Sequence, residues 1–327
     1  MDAWILDESP GSYRWGTIEP PPLGRDDVRI RVVASALNHM DLWVTRGLPK
    51  PPLPHVPGCD VAGVVEEVGP EVQHVAVGDE VVVNPGVSPV EDIVAFGNDS
   101  PMGPGFKIYG EHMWGGHATF ATAPARNVVR RPANRTWEEC AAYPLASLTA
   151  YRMLKRARLA AGETVLVVGI GAGVSCAALA IARYLGAEVV VTSRSPAKRE
   201  QALAMGAATA IDSAAERWPV QADVVVESVG RATWAQSMRA LKPGGRLVVC
   251  GGTSGGDVEI NLPRLFFKQY EIIGSSMGSY QEFAELTTLV ERGLDVHVDR
   301  VFPLDQYPAA LAHLEAGEQL GKVVLRH

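Results

Sequence analysis

The sequence predicts a two-part α/β protein, a doubly wound parallel sheet joined to a smaller and irregular antiparallel barrel. Three observations carry this. From Ala161 onward, short apolar runs alternate with helical stretches in a regular βα rhythm. Before it, Val-rich runs are broken by Pro and Gly at short intervals. At the start of the second region, Thr164-Val-Leu-Val-Val-Gly-Ile-Gly-Ala-Gly-Val-Ser175 reads as a buried strand, a glycine turn and a helix start. Continuous apolar strands joined by helices imply a parallel sheet covered on both faces, whereas short strands with frequent turn residues imply a barrel or sandwich.

In chain order, Met1-Asp-Ala-Trp-Ile-Leu6 enters directly into strand-like sequence, without a charged and then apolar leader. Barrel strands are expected at Val28–Ala34, Val61–Val68, Glu80–Val83 and Ala118–Ala121, with a long Gly- and Pro-rich loop over 84–116. The second half begins with a strand at Val165–Val168 and a helix from about Val174 to Leu185. A strand at Glu188–Thr192 precedes a helix over Pro196–Met205, whose early Pro loses no needed N–H. Strands follow at Ala208–Ile211 and Asp223–Glu227, then a helix over Ala232–Leu241 ending at Lys242-Pro-Gly-Gly, then strands at Arg246–Cys250 and Glu271–Gly274. Helical periodicity returns at Tyr280–Arg292 and Asp305–Glu315, and Lys322–Leu325 closes the chain as a strand. The uncharged run from Thr164 to Ala182 is long enough to raise a membrane span, but glycines at 169, 171 and 173 divide it into a strand and a helix.

Composition narrows the function. With 327 residues, 47% apolar and 20% charged, the chain can bury ample core in one large or two ordinary domains. A net charge of −7 argues against a nucleic-acid partner, which would need a basic face. Four cysteines, at 59, 140, 176 and 250, show no Cys-x-x-Cys spacing, which argues against a disulfide framework and a cysteine zinc site. The expected location is the cytoplasm.

The glycine turn carries the most chemistry. A helix N-terminus presents unpaired N–H groups and the positive end of its dipole, which favour a pyrophosphate. An acid about 20 residues further on would select NAD by binding the ribose 2′-hydroxyl. Here that place holds Ser193 and Arg194, with Lys198 one turn later. A carboxylate repels a 2′-phosphate; a hydroxyl, a guanidinium and an ammonium bind it, so the predicted coenzyme is NADPH. The alternative for Arg194 and Lys198 is an exposed loop with incidental charge. The glycine pattern is imperfect, since Val174 stands at its third glycine position.

Further segments carry a family resemblance: Ala36-Leu-Asn-His-Met-Asp41, Pro57-Gly-Cys-Asp-Val-Ala-Gly-Val-Val65, Val77-Gly-Asp-Glu-Val81, Ala146-Ser-Leu-Thr-Ala-Tyr151 and Leu241-Lys-Pro-Gly-Gly-Arg-Leu-Val248. With them the chain resembles the medium-chain dehydrogenase/reductase superfamily over essentially its full length. The resemblance implies a GroES-like catalytic domain from residues 1–123 and 268–327, with a Rossmann NADP-binding domain over 124–267. It further implies Thr149 at the nicotinamide end, His39, Gly171, Gly173 and Val174 at the pyrophosphate, and Val229, Gly230, Cys250, Gly251 and Thr253 along the coenzyme. The Asn261–Gly274 segment implies a homodimer paired edge to edge, which covers a strand edge.

Departures from the family set the chemistry. Zinc alcohol dehydrogenases of this superfamily carry a Cys, a His-Glu pair and a later Cys; the matching positions here hold Asn38, Cys59-Asp60 and the Tyr143-Pro-Leu145 region. Asn84-Pro-Gly-Val-Ser-Pro89 and a cysteine-free loop replace the structural-zinc lobe. No metal is therefore predicted, and the chain resembles the zinc-independent quinone oxidoreductases and enoyl reductases. A quinone or α,β-unsaturated carbonyl suits such a site, because the charge that hydride addition creates is delocalised onto an oxygen that hydrogen-bond donors can stabilise. The predicted catalytic residues are Asn38 as donor or nicotinamide-positioning group, Asp41 as a positioning carboxylate and Trp43 as a stacking surface. Asn38 reads equally as a turn cap. The proton donor is left open among Tyr109, His112, His117 and water. Two rival functions are an alcohol dehydrogenase using Cys59, Asp60 and His39 as unusual zinc ligands, and a non-catalytic NADPH-binding sensor.

Overall fold

The computed structural model describes residues 1–327 and divides them into two compact units, Met1–Leu148 with Gly278–His327, and Thr149–Met277.

The spine of the first unit is the strand Asp27–Ala36, which pairs antiparallel with Asp60–Val68, Phe120–Pro124 and Lys322–Arg326. Its alternation explains the pairing. Val28, Ile30 and Val32 point into a core shared with Val61, Val65, Val81, Val83 and Val128, while Arg29 and Arg31 lean toward Glu67 and Glu66. The sheet runs Val298–Pro303, Lys322–Arg326, Asp27–Ala36, Asp60–Val68, Glu80–Val83, Val128–Arg130. Three segments far apart in sequence therefore bring residues 36–38, 60 and 322 together at one end of neighbouring strands.

The second unit is a six-stranded parallel sheet in the order Thr209–Asp212, Glu188–Ser193, Thr164–Val167, Ala222–Glu227, Leu241–Val249, Glu271–Gly274. This is a doubly wound Rossmann order with its switch point between Thr164–Val167 and Ala222–Glu227, where ligands bind beyond the carboxyl ends of the strands. The apolar run at 164–182 is divided as expected, into the strand Thr164–Val167 and the helix Gly173–Tyr184. No helix is long and apolar enough to cross a membrane.

Several expected boundaries move. The units divide after Leu148 and Met277, not after 123 and 267. The helix Trp137–Ala142 packs on the barrel strands, and Glu271–Gly274 extends the parallel sheet. The 84–116 segment is not all loop. It holds a helix at Val90–Phe96, a 3-10 turn at Gly97–Met102 and a small ladder of Gly86–Val87 with Lys107–Ile108. The buried Asp92 ties it together by accepting the Gly105 N–H at 2.8 Å. The Lys242-Pro-Gly-Gly segment lies inside a strand, Leu241–Val249, whose register shifts opposite Ala222 and Val224. The helices His39–Thr45 and Pro144–Arg156 were not foreseen either.

Two histidines, His55 buried and His327 half-buried, make the stability of the first unit pH-dependent. His55 donates to the Gly110 carbonyl at 3.0 Å, and burial pushes its pKa down to about 4. His327 bonds Ser35 at 2.8 Å and is pushed down to about 3 by burial and by neighbouring His117. Below the ordinary histidine pKa the unfolded chain takes up protons that the folded chain refuses, so stability falls as pH falls, down toward those lowered values. Between pH 6.5 and 5 each histidine should remove up to about 2 kcal/mol, measurable as a lower urea midpoint.

Candidate active site

Asn38 directly follows the spine strand and opens the helix His39–Thr45. The Asp41 carboxylate accepts the Asn38 backbone N–H at 2.7 Å, a capping contact that frees the Asn38 side chain for other partners. Those partners are charged. Asn38 Nδ2 donates to Asp60 Oδ2 at 2.9 Å, and Asn38 Oδ1 accepts from Lys322 Nζ at 2.6 Å. Lys322 Nζ also donates to Asp60 Oδ2 at 2.8 Å and to the Leu37 carbonyl at 2.6 Å. The remaining oxygen, Asp60 Oδ1, accepts the Leu145 N–H at 2.7 Å. Asp60 is fully buried and Lys322 is 5% exposed, so this pair lies out of water with its polar atoms satisfied.

The predicted catalytic residues separate onto two sides of their helix. Asn38, His39 and Trp43 remain partly accessible, with the His39 and Trp43 rings 6.1 Å apart. Burial, aided by nearby Lys322, lowers the His39 pKa, which keeps the imidazole neutral near pH 7. Asp41 turns inward instead. Its oxygens lie 3.4 Å from His117 Nε2 and from the Tyr307 hydroxyl, so it acts through the Asn38 backbone and touches no open surface. Of the possible proton donors, Tyr109 and His117 are wholly buried, the Tyr109 hydroxyl pKa is raised by that burial, and only His112 is exposed.

A zinc ion does not fit these residues. Cys59 is wholly buried, and burial with the carboxylates of Asp41, Asp60 and Glu111 pushes its thiol well above its ordinary pKa. Asp60 is already engaged by an ammonium. No group of three or more His, Cys, Asp and Glu side chains is placed to hold a metal ion. The same burial makes Cys59 inert as a reactive thiol.

In the Rossmann unit the predicted coenzyme residues gather at the carboxyl ends of adjacent strands. Gly171 has φ +143° and Gly169 φ +75°, where a Cβ on Gly169 would stand 2.9 Å from Val229. Ser175 closes the glycine turn: its hydroxyl accepts the Gly171 N–H at 3.2 Å and donates to the Ala172 carbonyl at 2.9 Å. The Gly171 amide is thereby spent within the turn, and the Gly173 and Val174 amides are the first-turn donors of the helix. On the next strand, Ser193 ends Glu188–Ser193, Arg194 is exposed, and Lys198 lies in the first turn of the helix Pro196–Ala204. Arg199 braces this corner by donating to the Ser193 carbonyl at 2.7 Å and lying 3.5 Å from Asp212. Val229 and Gly230 follow the strand Ala222–Glu227, and Cys250, Gly251 and Thr253 follow Leu241–Val249. Burial pushes the Cys250 thiol up to about 12, so it lines the edge as a neutral group. Thr149 is buried in the helix Pro144–Arg156.

Two functional groups escaped the sequence reading. Lys322 reads in the sequence only as the start of a closing strand, and no local signal gives its partners, which lie more than 260 residues away. Glu227 reads in the sequence only as a strand end. Its buried carboxylate accepts the Val229 and Gly230 N–H groups at 2.7 and 3.1 Å and the hydroxyls of Thr233 and Ser237, which fixes the 229–230 loop. A buried acid beside glycine at the end of a parallel strand was the available hint.

Comparison with known proteins agrees with this architecture. Residues 24–133 match the alcohol dehydrogenase GroES-like domain, and residues 173–292 match the zinc-binding dehydrogenase domain. A crotonyl-CoA carboxylase/reductase of Cereibacter sphaeroides is 29% identical over 90% of this chain and 78% of its own. An NADPH-dependent alkenal/one oxidoreductase of Arabidopsis thaliana chloroplasts is 29% identical over 99% of this chain and 79% of its own. The solved structure of an NAD-dependent alcohol dehydrogenase is 36% identical, superposes with a TM-score of 0.94 and covers 100% of both chains. With a Rossmann sheet, a GroES-like barrel and relatives matched along nearly its whole length, the chain belongs to the medium-chain dehydrogenase/reductase superfamily.

Proposed function

We propose that the chain is an NADPH-dependent, zinc-independent oxidoreductase that reduces the conjugated double bond of α,β-unsaturated carbonyl compounds. One observation carries the reading: the Asn38 amide, held between Asp60 and Lys322, is a neutral donor where a metal ion does not fit. Ser193, Arg194 and Lys198 would hold the 2′-phosphate, Arg194 through a guanidinium fork. The Gly173 and Val174 amides would hold the pyrophosphate. The bound coenzyme supplies a hydride. As it reaches the β-carbon, negative charge grows on the carbonyl oxygen, and the second Asn38 Nδ2–H is free to stabilise it. Neutral His39 keeps a second cation away from Lys322, and Trp43 offers a flat apolar face. With Tyr109 and His117 buried, His112 or water is the source of the α-proton. The names of the crotonyl-CoA and alkenal/one relatives support this substrate class. The name of the NAD-dependent alcohol dehydrogenase favours a second reading, alcohol oxidation with NAD.

The test uses the 4-deuterated coenzyme with a simple enone. Deuterium at the β-carbon of the saturated product is expected, and Asn38→Ala should lower kcat by about 100-fold. Deuterium only at the carbonyl carbon would contradict the reading. Quinone turnover with no enone turnover would replace the substrate class.

We also propose a cytoplasmic homodimer paired through Glu271–Gly274. That strand is the open edge of the parallel sheet, and next to it Phe266 and Phe267 are 60% and 78% exposed. Phe266→Glu with Phe267→Glu should convert the dimer to monomer in sedimentation equilibrium. A wild-type monomer at micromolar concentration would contradict the proposal.

A further inference from the structure

The family that this chain belongs to includes zinc-binding members, yet two of the corresponding residues here, Asn38 and Asp60, bind an ammonium. Three oxygens approach Lys322 Nζ, namely the Leu37 carbonyl at 2.6 Å, Asn38 Oδ1 at 2.6 Å and Asp60 Oδ2 at 2.8 Å. A lysine ammonium has three N–H donors and no acceptor, so this set satisfies it completely. Charge is balanced as well. Asp60 is the anion of the cluster, its Oδ2 is shared by Lys322 and Asn38, and its Oδ1 is taken by Leu145. A divalent ion would meet no uncommitted anionic oxygen and would face a buried positive charge.

The ammonium also decides how the Asn38 amide is turned. Because Lys322 can only donate, Asn38 must present Oδ1 to it and Nδ2 to Asp60. The flipped amide would set Nδ2 against an ammonium and Oδ1 against a carboxylate, two repulsive contacts. One Nδ2–H is used by Asp60, which leaves the other for a substrate oxygen. We propose that the Lys322 ammonium is the resident cation of this site, standing in the place of a metal ion, and that through Asn38 it fixes which amide hydrogen is offered to the substrate. Lys322 is thus a positioning residue. The second half of this proposal rests on the reductase reading; the first half does not.

The test separates them by reading stability first. Lys322→Ala opens a space bounded by three oxygens and leaves Asp60 unpaired, so its Tm should fall by roughly 10 °C. Adding 100 mM ethylammonium, on the order of what fills a weak site, should restore at least half of that loss. Equal sodium chloride or tetramethylammonium, which lacks N–H donors, should restore none. The double variant Lys322→Ala with Asp60→Asn leaves no charge unpaired, should fold, and should show no amine response. Wild-type protein dialysed against zinc should retain none in stoichiometric amount. An amine response equal to that of sodium chloride, an equal response in the double variant, or stoichiometric zinc lost on Cys59→Ser would each overturn the proposal. On the reductase reading, Lys322→Ala should also lose about 100-fold in kcat with an unchanged KM for NADPH, partly recovered by ethylammonium. Lys322→Arg should retain more turnover than Lys322→Ala. If the wild type reduces no conjugated acceptor, that reading fails while the amine and zinc results still decide the cation.

Discussion

Asp60→Ala should lower the unfolding free energy by about 3–5 kcal/mol, the largest stability effect expected of any single polar substitution in the barrel unit. The cause is the partner left behind. Lys322 is 5% exposed and would keep only two neutral acceptors, the Leu37 carbonyl and Asn38 Oδ1. The Leu145 N–H would lose its acceptor too. Removing one member of a buried pair costs far more than the pair itself contributes, because the surviving charge has no water to return to. The double variant Asp60→Asn with Lys322→Met should therefore be more stable than Asp60→Ala, even though it changes two residues. Urea unfolding of the wild type and both variants measures this. Equal destabilisation by Asp60→Ala and by the double variant would show that the ion pair is not what the site depends on.

The second large effect concerns the coenzyme. Ser193→Asp with Arg194→Glu places two carboxylates where the 2′-phosphate is held in the proposed function. The kcat/KM for NADPH should fall by about 100-fold or more, since attraction is replaced by like-charge repulsion at close range. The value for NADH, which lacks the phosphate, should change by less than about tenfold, so the preference inverts. The fold should survive, because Arg194 is exposed, an Asp at 193 can still accept the Ser195 N–H that the buried Ser193 hydroxyl accepts, and the corner is braced by Arg199. Lys198→Ala alone should act in the same direction with a smaller loss. Steady-state kinetics with both coenzymes decides this, and an NADPH value that hardly moves would remove the phosphate from this corner.

These two effects sit at opposite limits of what the sequence discloses. The coenzyme corner is written locally: strand, glycine turn, helix, next strand and its terminal Ser193 and Arg194 fall within about one βα unit of the chain. Each step obeys a short-range rule of periodicity or turn chemistry. The parallel sheet was legible for the same reason, down to the strands Glu188–Ser193 and Ala222–Glu227. The barrel was legible only as a class. Strands such as Asp27–Ala36 could be seen from their alternating valines, but their partners could not, because antiparallel partners here lie tens to hundreds of residues apart. That is why Lys322 was missed although Asn38 and Asp60 were both singled out. Two helix starts carry capping boxes, Thr136 with Glu139 and Ser279 with Glu282; the second helix is among those expected from the sequence and the first is not. Asp41 reads in the sequence as a positioning carboxylate, but nothing in a seven-residue helix tells that His117 and Tyr307 cover its face.

The central claim is a reductase site that runs on NADPH and an internal ammonium in place of zinc. Its most direct measurement is NADPH oxidation, followed by near-ultraviolet absorbance, with chelator-treated protein and a panel of enones, quinones, aldehydes and ketones. Such a site should give full turnover of conjugated acceptors after chelation, no gain on adding zinc, and much weaker activity with NADH. Loss of all turnover on chelation, restored by zinc and greatest with simple aldehydes or alcohols, would contradict it.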